Sequence, residues 1–180
     1  MMETTILDVL RKRRSIRQFT SQAVEADKVD ALIEAAVRTP TSRGHNPWEF
    51  IVVTDPELLK QLGCAKEHGS AFLAGAPLAI VVAADATKSD VWTEDCSIAG
   101  ILIQLTAENI GLGSCWAQIR LRPHDSVCSA EQYLKDLLGL PASYEVECVL
   151  GIGYPAEEKA GHAAEALPFN QVHRNKFNDR

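Results

Sequence analysis

The longest regular pattern in this chain is helical, and it is apolar on nearly every side. Residues 92–112 carry apolar side chains at spacings of three and four, namely Ile98, Ala99, Ile101, Leu102, Ile103, Leu105 and Ile110. Gly111 follows the last of them, which is typical of a helix C-terminus. A helix that is apolar all round has no face for solvent, so it belongs in the interior. The pattern therefore predicts a long central helix against which the other elements pack.

Shorter patterns predict the surrounding elements. Four apolar segments bounded by turn residues predict strands at residues 49–54, 78–84, 114–119 and 145–152. Helical spacing predicts helices at residues 4–12, 25–38 and 129–138 and another that begins near Pro56. A threonine at the start of the first helix is suited to cap it. Because strands and helices do not strictly alternate and no repeat or linker divides the chain, we expect a single α+β domain over residues 1–180.

Composition narrows the classes of partner. The net charge is −6, and the one dense basic run, residues 11–17, is too short to follow a nucleic-acid backbone. Apolar stretches are interrupted before they reach the length of a membrane span. The five cysteines form no CxxC pair and their number is odd, which favours reduced thiols. We therefore expect a cytoplasmic protein with neither nucleic acid nor membrane as its partner.

Metal binding is not expected either. Cys64 and His68 are four residues apart on a possible helix. Two potential ligands are fewer than a zinc site needs. The sequence thus predicts no metal site.

Two polar segments could bind a ligand. Residues 13–17 (RRSIR) gather guanidinium groups and a hydroxyl, which are groups suited to a phosphate monoester, although a solvated charged surface has the same composition. Residues 40–48 (PTSRGHNPW) place short polar side chains and a glycine between a predicted helix and a predicted strand. Such a loop can meet the polar edge of a ring system, but it can equally be a simple connection.

Together with two further segments, these resemble the nitroreductase family of FMN-dependent oxidoreductases over essentially the full chain. The segments in order are RRSIRQF at 13–19, PTS at 40–42 with NPWEFIVV at 46–53, GSCW at 113–116, and LGIGYP at 150–155 with Val172-His173 near the end. The resemblance implies a nitroreductase-like sheet flanked by helices and an obligate homodimer with two FMN sites at its interface. It also implies that the aperiodic tail, residues 156–180, wraps the partner subunit.

The resemblance assigns FMN contacts to three parts of the chain. The phosphate and ribityl region would be bound by Arg13, Arg14, Ser15 and Arg17. The flavin would be approached from the partner chain by Pro40, Thr41, Ser42 and Asn46. Beside the isoalloxazine would lie Trp116 and backbone groups of Ala117, Gln118 and Ile119. Since residues 161–169 lack the Lys and Arg of many relatives, phosphate binding should depend mainly on Arg13 and Arg17.

The implied activity is hydride transfer from NADH or NADPH through flavin N5 to a small acceptor such as a nitroaromatic or quinone. Because the cofactor supplies the reactivity, no side chain is assigned as acid, base or nucleophile. The alternatives are reductive dehalogenation, enone reduction or azoline oxidation on the same scaffold, FMN storage or redox sensing with little turnover, and an interaction protein that has lost the cofactor. The chain has no GxGxxG fingerprint from which a nicotinamide preference could be inferred.

Overall fold

The computed structural model describes residues 5–178 and shows a four-stranded antiparallel sheet with helices on both faces. The strands are β1 (Trp48–Val53), β2 (Leu78–Asp85), β3 (Gly113–Gln118) and β4 (Tyr144–Gly153). Their order across the sheet is β1-β2-β4-β3, so β3 forms one edge. Each predicted strand is present within one residue of its expected bounds, and the α+β class is confirmed.

The helices are α1 (Ile6–Lys12), α2 (Ala26–Val37), α3 (Pro56–Gly63), α4 (Trp92–Asn109) and α5 (Ala130–Leu138). Thr5 caps α1 in a reciprocal pair with Asp8, as the predicted threonine cap requires. Gly139, at φ +68°, ends α5 in the left-handed conformation that glycine adopts without strain. All the predicted helices are confirmed, except that residue 4 of the first lies outside the described residues.

The central strand β2 has a core on each side. Its even-numbered residues pack with β4 against α2 and α4, where Leu32 and Ile103 are fully buried. Its odd-numbered residues pack against α3 and α5, where Leu62 and Leu134 are fully buried. Each such leucine contributes about 1.5–3 kcal/mol through burial. Burial on both faces explains why this strand reads as a continuous apolar run.

The sequence predicts that the long helix, α4, is buried on all sides, and this prediction is wrong. Its sheet side is buried, but Ile98 is 41% exposed and Ile101 is 37% exposed. Beside them, α1 exposes three apolar residues, and a cavity of about 290 Å³ lies between the two helices. We call this open surface the α1–α4 face; its exposed members are Ile6, Leu7, Leu10, Ile98 and Ile101. Periodicity alone cannot separate burial within the chain from an apolar surface left open.

The chain beyond Pro155 begins by packing on its own subunit. The Ala156 N–H donates to the Gln18 carbonyl at 2.9 Å, and a Cβ on Gly161 would collide with the Arg11 carbonyl. Residues 162–178 are exposed apart from His173, which is half-buried. The predicted wrapping of a partner subunit thus concerns residues after 161. Within residues 5–178, no helix has the length and apolar character needed to cross a membrane.

Candidate cofactor site

The edge strand β3 presents backbone donors that the sheet does not use. Cys115, Ala117 and other odd-numbered residues hydrogen-bond to β4, as shown by the Ile119 N–H that donates to the Glu147 carbonyl at 3.1 Å. Antiparallel alternation therefore turns the N–H groups of Trp116 and Gln118 outward. Among the described residues, neither N–H has a hydrogen-bond acceptor. Two donors on an open edge are available to a ligand.

The extended segment after α1 lies against the start of this edge. Ser15 forms a parallel bridge with Ser114, and the Ile16 N–H donates to the Ser114 carbonyl at 3.0 Å. Side chains alternate along extended backbone. Arg13, Ser15 and Arg17 consequently share one side of the segment, while Arg14 and Ile16 share the other.

The first side forms a cluster of cations around Ser15 and Cys115, which we call the cation cluster. Burial raises the pKa of the Cys115 thiol, and the nearby Arg17, Ser15, Lys159 and Arg13 oppose that rise. The Lys159 Nζ donates to the Ser15 carbonyl at 2.8 Å. The charges of Arg13, Arg17 and Lys159 thus act on one thiol beside the open edge, and with the Ser15 hydroxyl they make up the donor set that a phosphate monoester requires.

Lys159 was missed by the sequence reasoning, which looked for tail cations only within residues 161–169. Its position is set by Glu157, whose Oε1 accepts from Lys159 Nζ at 2.9 Å and from the Arg17 N–H at 2.6 Å. These contacts, first the Arg17 N–H and then Lys159, lower the pKa of Glu157. A Glu-x-Lys pair directly after the GYP segment was the available signal.

Arg14 lies apart from the other predicted phosphate ligands. Its Nη1 donates to the Ala160 carbonyl, and its side chain lines a cavity of about 430 Å³ with Ile16, Gly113 and Lys159. The cavity has carboxylates of Glu108 and Glu157 as well as cations on its wall. Arg14 therefore fixes the tail to the segment after α1.

The loop after α2 brings Thr41, Ser42 and Asn46 together, with Pro40 exposed at its start. The Thr41 Oγ1 accepts from the Asn46 N–H at 3.1 Å and donates to Asn46 Oδ1 at 2.8 Å. The Ser42 N–H donates to Asp95 Oδ1 at 2.9 Å. The structure thus gathers the predicted loop residues, but at the N-terminal end of α4 and apart from the cation cluster of the same chain.

The predicted β3 residues divide between the core and the edge. Ala117 and Ile119 are fully buried, so only their backbone atoms are near the edge. Trp116 Nε1 donates to Gln118 Oε1 at 2.8 Å, and Gln118 Nε2 donates to Glu147 Oε1 at 3.2 Å. The Trp116 ring packs on Gly100 of α4. These contacts fix the strand from which the two outward N–H groups project.

A further pair of cations, Lys66 and Arg122, lies near this edge. Burial, together with the charge of Arg122, lowers the pKa of Lys66, and Cys115 acts on the same ammonium group. Lys66 and Arg122 are far apart in sequence, so no local pattern predicts that they approach each other.

Within residues 5–178, no group of three potential metal ligands exists. The available groups are donors and cations, which fit the phosphate and the polar ring atoms of FMN.

The sequence and the fold are both similar to those of known proteins. Residues 10–66 and 62–154 match the family model described as the nitroreductase family. A putative NADH dehydrogenase/NAD(P)H nitroreductase of Archaeoglobus fulgidus is 36% identical over 95% of this chain and 98% of its own. The structure of an FMN-dependent nitroreductase from Clostridium difficile is 46% identical, with a TM-score of 0.94 over 95% of this chain and 99% of its own. A putative NAD(P)H nitroreductase from Parabacteroides distasonis superimposes with a TM-score of 0.88 at 31% identity, over 97% and 100% of the two chains.

Proposed function

Because this chain belongs to the nitroreductase family and is an NAD(P)H-dependent flavin oxidoreductase, we propose that it holds FMN at a homodimer interface and reduces a small acceptor such as a nitroaromatic or quinone. The observation that carries the proposal is the cation cluster of Arg13, Arg17 and Lys159, set beside two free N–H groups on the β3 edge. Together they offer separate binding groups for a phosphate and for a polar ring.

Each group has a distinct task in this proposal. The cation cluster and the Ser15 hydroxyl bind the phosphate end, and charge-assisted bonds of this kind contribute about 1.5–3 kcal/mol each. The N–H groups of Trp116 and Gln118 donate to polar atoms of the ring. When bound, FMN supplies the redox chemistry by accepting hydride at N5 from the nicotinamide and delivering it to the acceptor. The chain itself binds and orients, so no titratable side chain is required for the reaction.

The homodimer is supported by surfaces that a single chain leaves open. The α1–α4 face carries five exposed apolar side chains, and the tail exposes Leu167, Phe169, Val172 and Phe177. Clusters of exposed apolar side chains mark sites of protein–protein interaction. The loop of Thr41, Ser42 and Asn46 also lies away from the cation cluster of its own chain, as expected if it contacts the FMN bound by the other subunit.

The proposal is tested by the absorbance spectrum of the purified protein, recorded before and after anaerobic addition of NADH or NADPH. We expect stoichiometric FMN that is bleached by a nicotinamide and reoxidised by a nitroaromatic or a quinone. If a halogenated phenol or an enone reoxidises it faster than either, the acceptor class is wrong. Bound FMN that neither nicotinamide reduces would favour storage or sensing, and a colourless protein that rejects added FMN refutes the proposal.

The phosphate site is tested by Arg13→Ala combined with Arg17→Ala. Loss of two charge-assisted contacts should weaken FMN binding by on the order of 10²–10⁴-fold while the protein stays folded. The matched control, Arg11→Ala with Arg38→Ala, removes two exposed guanidinium groups and the same net charge, and it should bind FMN normally. Equal FMN affinities of the two double variants would contradict the assigned site.

A further inference from the structure

A buried carboxylate outside the cofactor contacts anchors the predicted flavin-facing loop. Asp95 lies in the first turn of α4 and is 3% exposed. Its Oδ1 accepts from the Ser42 N–H at 2.9 Å, and its Oδ2 accepts from Ser89 Oγ at 3.4 Å. Through these contacts, one side chain joins α4 to two separate turns.

The loop needs an anchor because its backbone is unusual. Arg43, Gly44 and Asn46 have φ values of +54°, +69° and +45°. For residues other than glycine, this conformation persists only where surrounding contacts determine it. The other hydrogen bonds of residues 41–46 within the described chain are internal to the loop, so the Ser42–Asp95 bond is the one that fixes it to another element.

The position of the anchor favours an action across subunits. Asp95 and Ser42 lie at the N-terminal end of α4, whereas Lys12, next to the cation cluster, pairs with Glu108 near its C-terminal end. Asp95 and Glu108 are separated by about 20 Å along the helix. The loop also leads into β1, which is the sheet edge opposite to β3. The loop is therefore remote from both the phosphate site and the β3 edge of its own chain, which favours contact with the cofactor of a partner.

We propose that Asp95 is a positioning residue for the cofactor: it holds the Thr41–Asn46 loop in the conformation that completes the FMN site of the partner subunit. This inference rests on the proposed function. Asp95 acts through the Ser42 backbone and does not itself contact the cofactor. Its required property is an acceptor oxygen at this place and not its negative charge.

The first experiment compares Asp95→Ala with Asp95→Asn. Asparagine keeps an oxygen acceptor for the Ser42 N–H, and alanine removes it. We expect alanine to weaken FMN binding at least tenfold, measured by flavin fluorescence quenching, and asparagine to stay within about threefold of wild type, because only alanine leaves the Ser42 N–H without its acceptor. The exposed Asp90→Ala serves as the control for a lost carboxylate and should bind FMN as wild type does.

A second readout needs no cofactor. Arg43 is an exposed trypsin site in the middle of the loop. In the apoprotein, Asp95→Ala should be cleaved after Arg43 at least tenfold faster than wild type, as identified by peptide mass, while Asp95→Asn and Asp90→Ala keep the wild-type rate. If Asp95→Ala does not fold, Asp95→Leu fills a similar volume without an acceptor and is used in its place.

Action across the interface is tested with mixed dimers of Asp95→Ala and the Arg13→Ala, Arg17→Ala double variant. If the site draws on both chains, each mixed dimer regains one FMN site of wild-type affinity. Recovery of none would overturn the action across subunits. Wild-type FMN affinity of Asp95→Ala, or failure of Asp95→Asn to rescue, would overturn the positioning role. If wild type itself binds no FMN, the proposed function fails, and the trypsin rates still decide whether Asp95 anchors the loop.

Discussion

Replacing Gly100 by alanine measures how tightly β3 packs on α4. A Cβ at this position would lie 2.3 Å from Cζ3 of Trp116, well inside the contact distance of two carbon atoms. The ring cannot swing aside freely, because its Nε1–H donates to Gln118 Oε1. Overpacking of this kind costs about 1–3 kcal/mol, and the better helix propensity of alanine returns about 1 kcal/mol. We expect the free energy of unfolding to fall by about 1 kcal/mol.

The sign of this effect should reverse when the clash is removed. In a Trp116→Phe background, the smaller ring leaves room for the added methyl group. Gly100→Ala should then stabilise the protein by up to about 1 kcal/mol through helix propensity alone. A double-mutant cycle measured on the apoprotein by urea unfolding, followed by circular dichroism, isolates the coupling between the two positions.

Gly75→Ala provides the control, since no atom lies within 4 Å of a Cβ built there. It should leave stability nearly unchanged in both backgrounds. If Gly100→Ala has the same effect with Trp116 as with phenylalanine, the ring does not press on Gly100, and the packing argument is refuted.

Two further predictions concern buried titratable groups. Burial raises the pKa of Glu147 above its ordinary value of 4.5, so the stability contributed by its protonated form is complete below that value and is lost as pH rises through the folded-state pKa. Glu147→Gln should therefore raise the free energy of unfolding at pH 7 but not at pH 4 in urea titrations, and an equal gain at both would contradict this. Ellman's reagent should label two thiols per native chain quickly, the exposed Cys64 and the half-buried Cys128. Three more should react only after unfolding, because burial raises the pKa of Cys96 to about 12 and raises those of Cys115 and Cys148 as well; fast labelling of all five would show that the core is open.

The elements were predictable because their signals are local. The strand at residues 78–84 is a continuous apolar run, so its bounds follow from its own residues. The helix at residues 129–138 ends at the glycine that follows it, Gly139. The open side of α4 was not predictable, because Ile98 and Ile101 repeat at the same helical spacing as the buried Ile103. Periodicity reports that a side chain is apolar, but not which surface covers it.

The candidate site was predictable in its residue types more than in its geometry. Arg13, Ser15 and Arg17 were expected at the phosphate, but the segregation of Arg14 depends on an extended backbone that the sequence did not predict. Lys159 joins Ser15 from a distant part of the chain, and this approach is set by the fold alone. Asp95 reads as an ordinary acidic residue in the first turn of a helix, a place where carboxylates are favoured anyway.

The two-sided geometry of residues 13–17 has a consequence for how this segment can change over time. Adding or deleting a single residue between Lys12 and Ser15, with Ser15 held at its bridge, would exchange the sides of the residues before Ser15 and turn an arginine from the phosphate position toward the tail. Two residues would restore the orientation but lengthen the path to the bridge with Ser114. In descendants of this gene, the stretch should therefore accumulate replacements while its length stays constant.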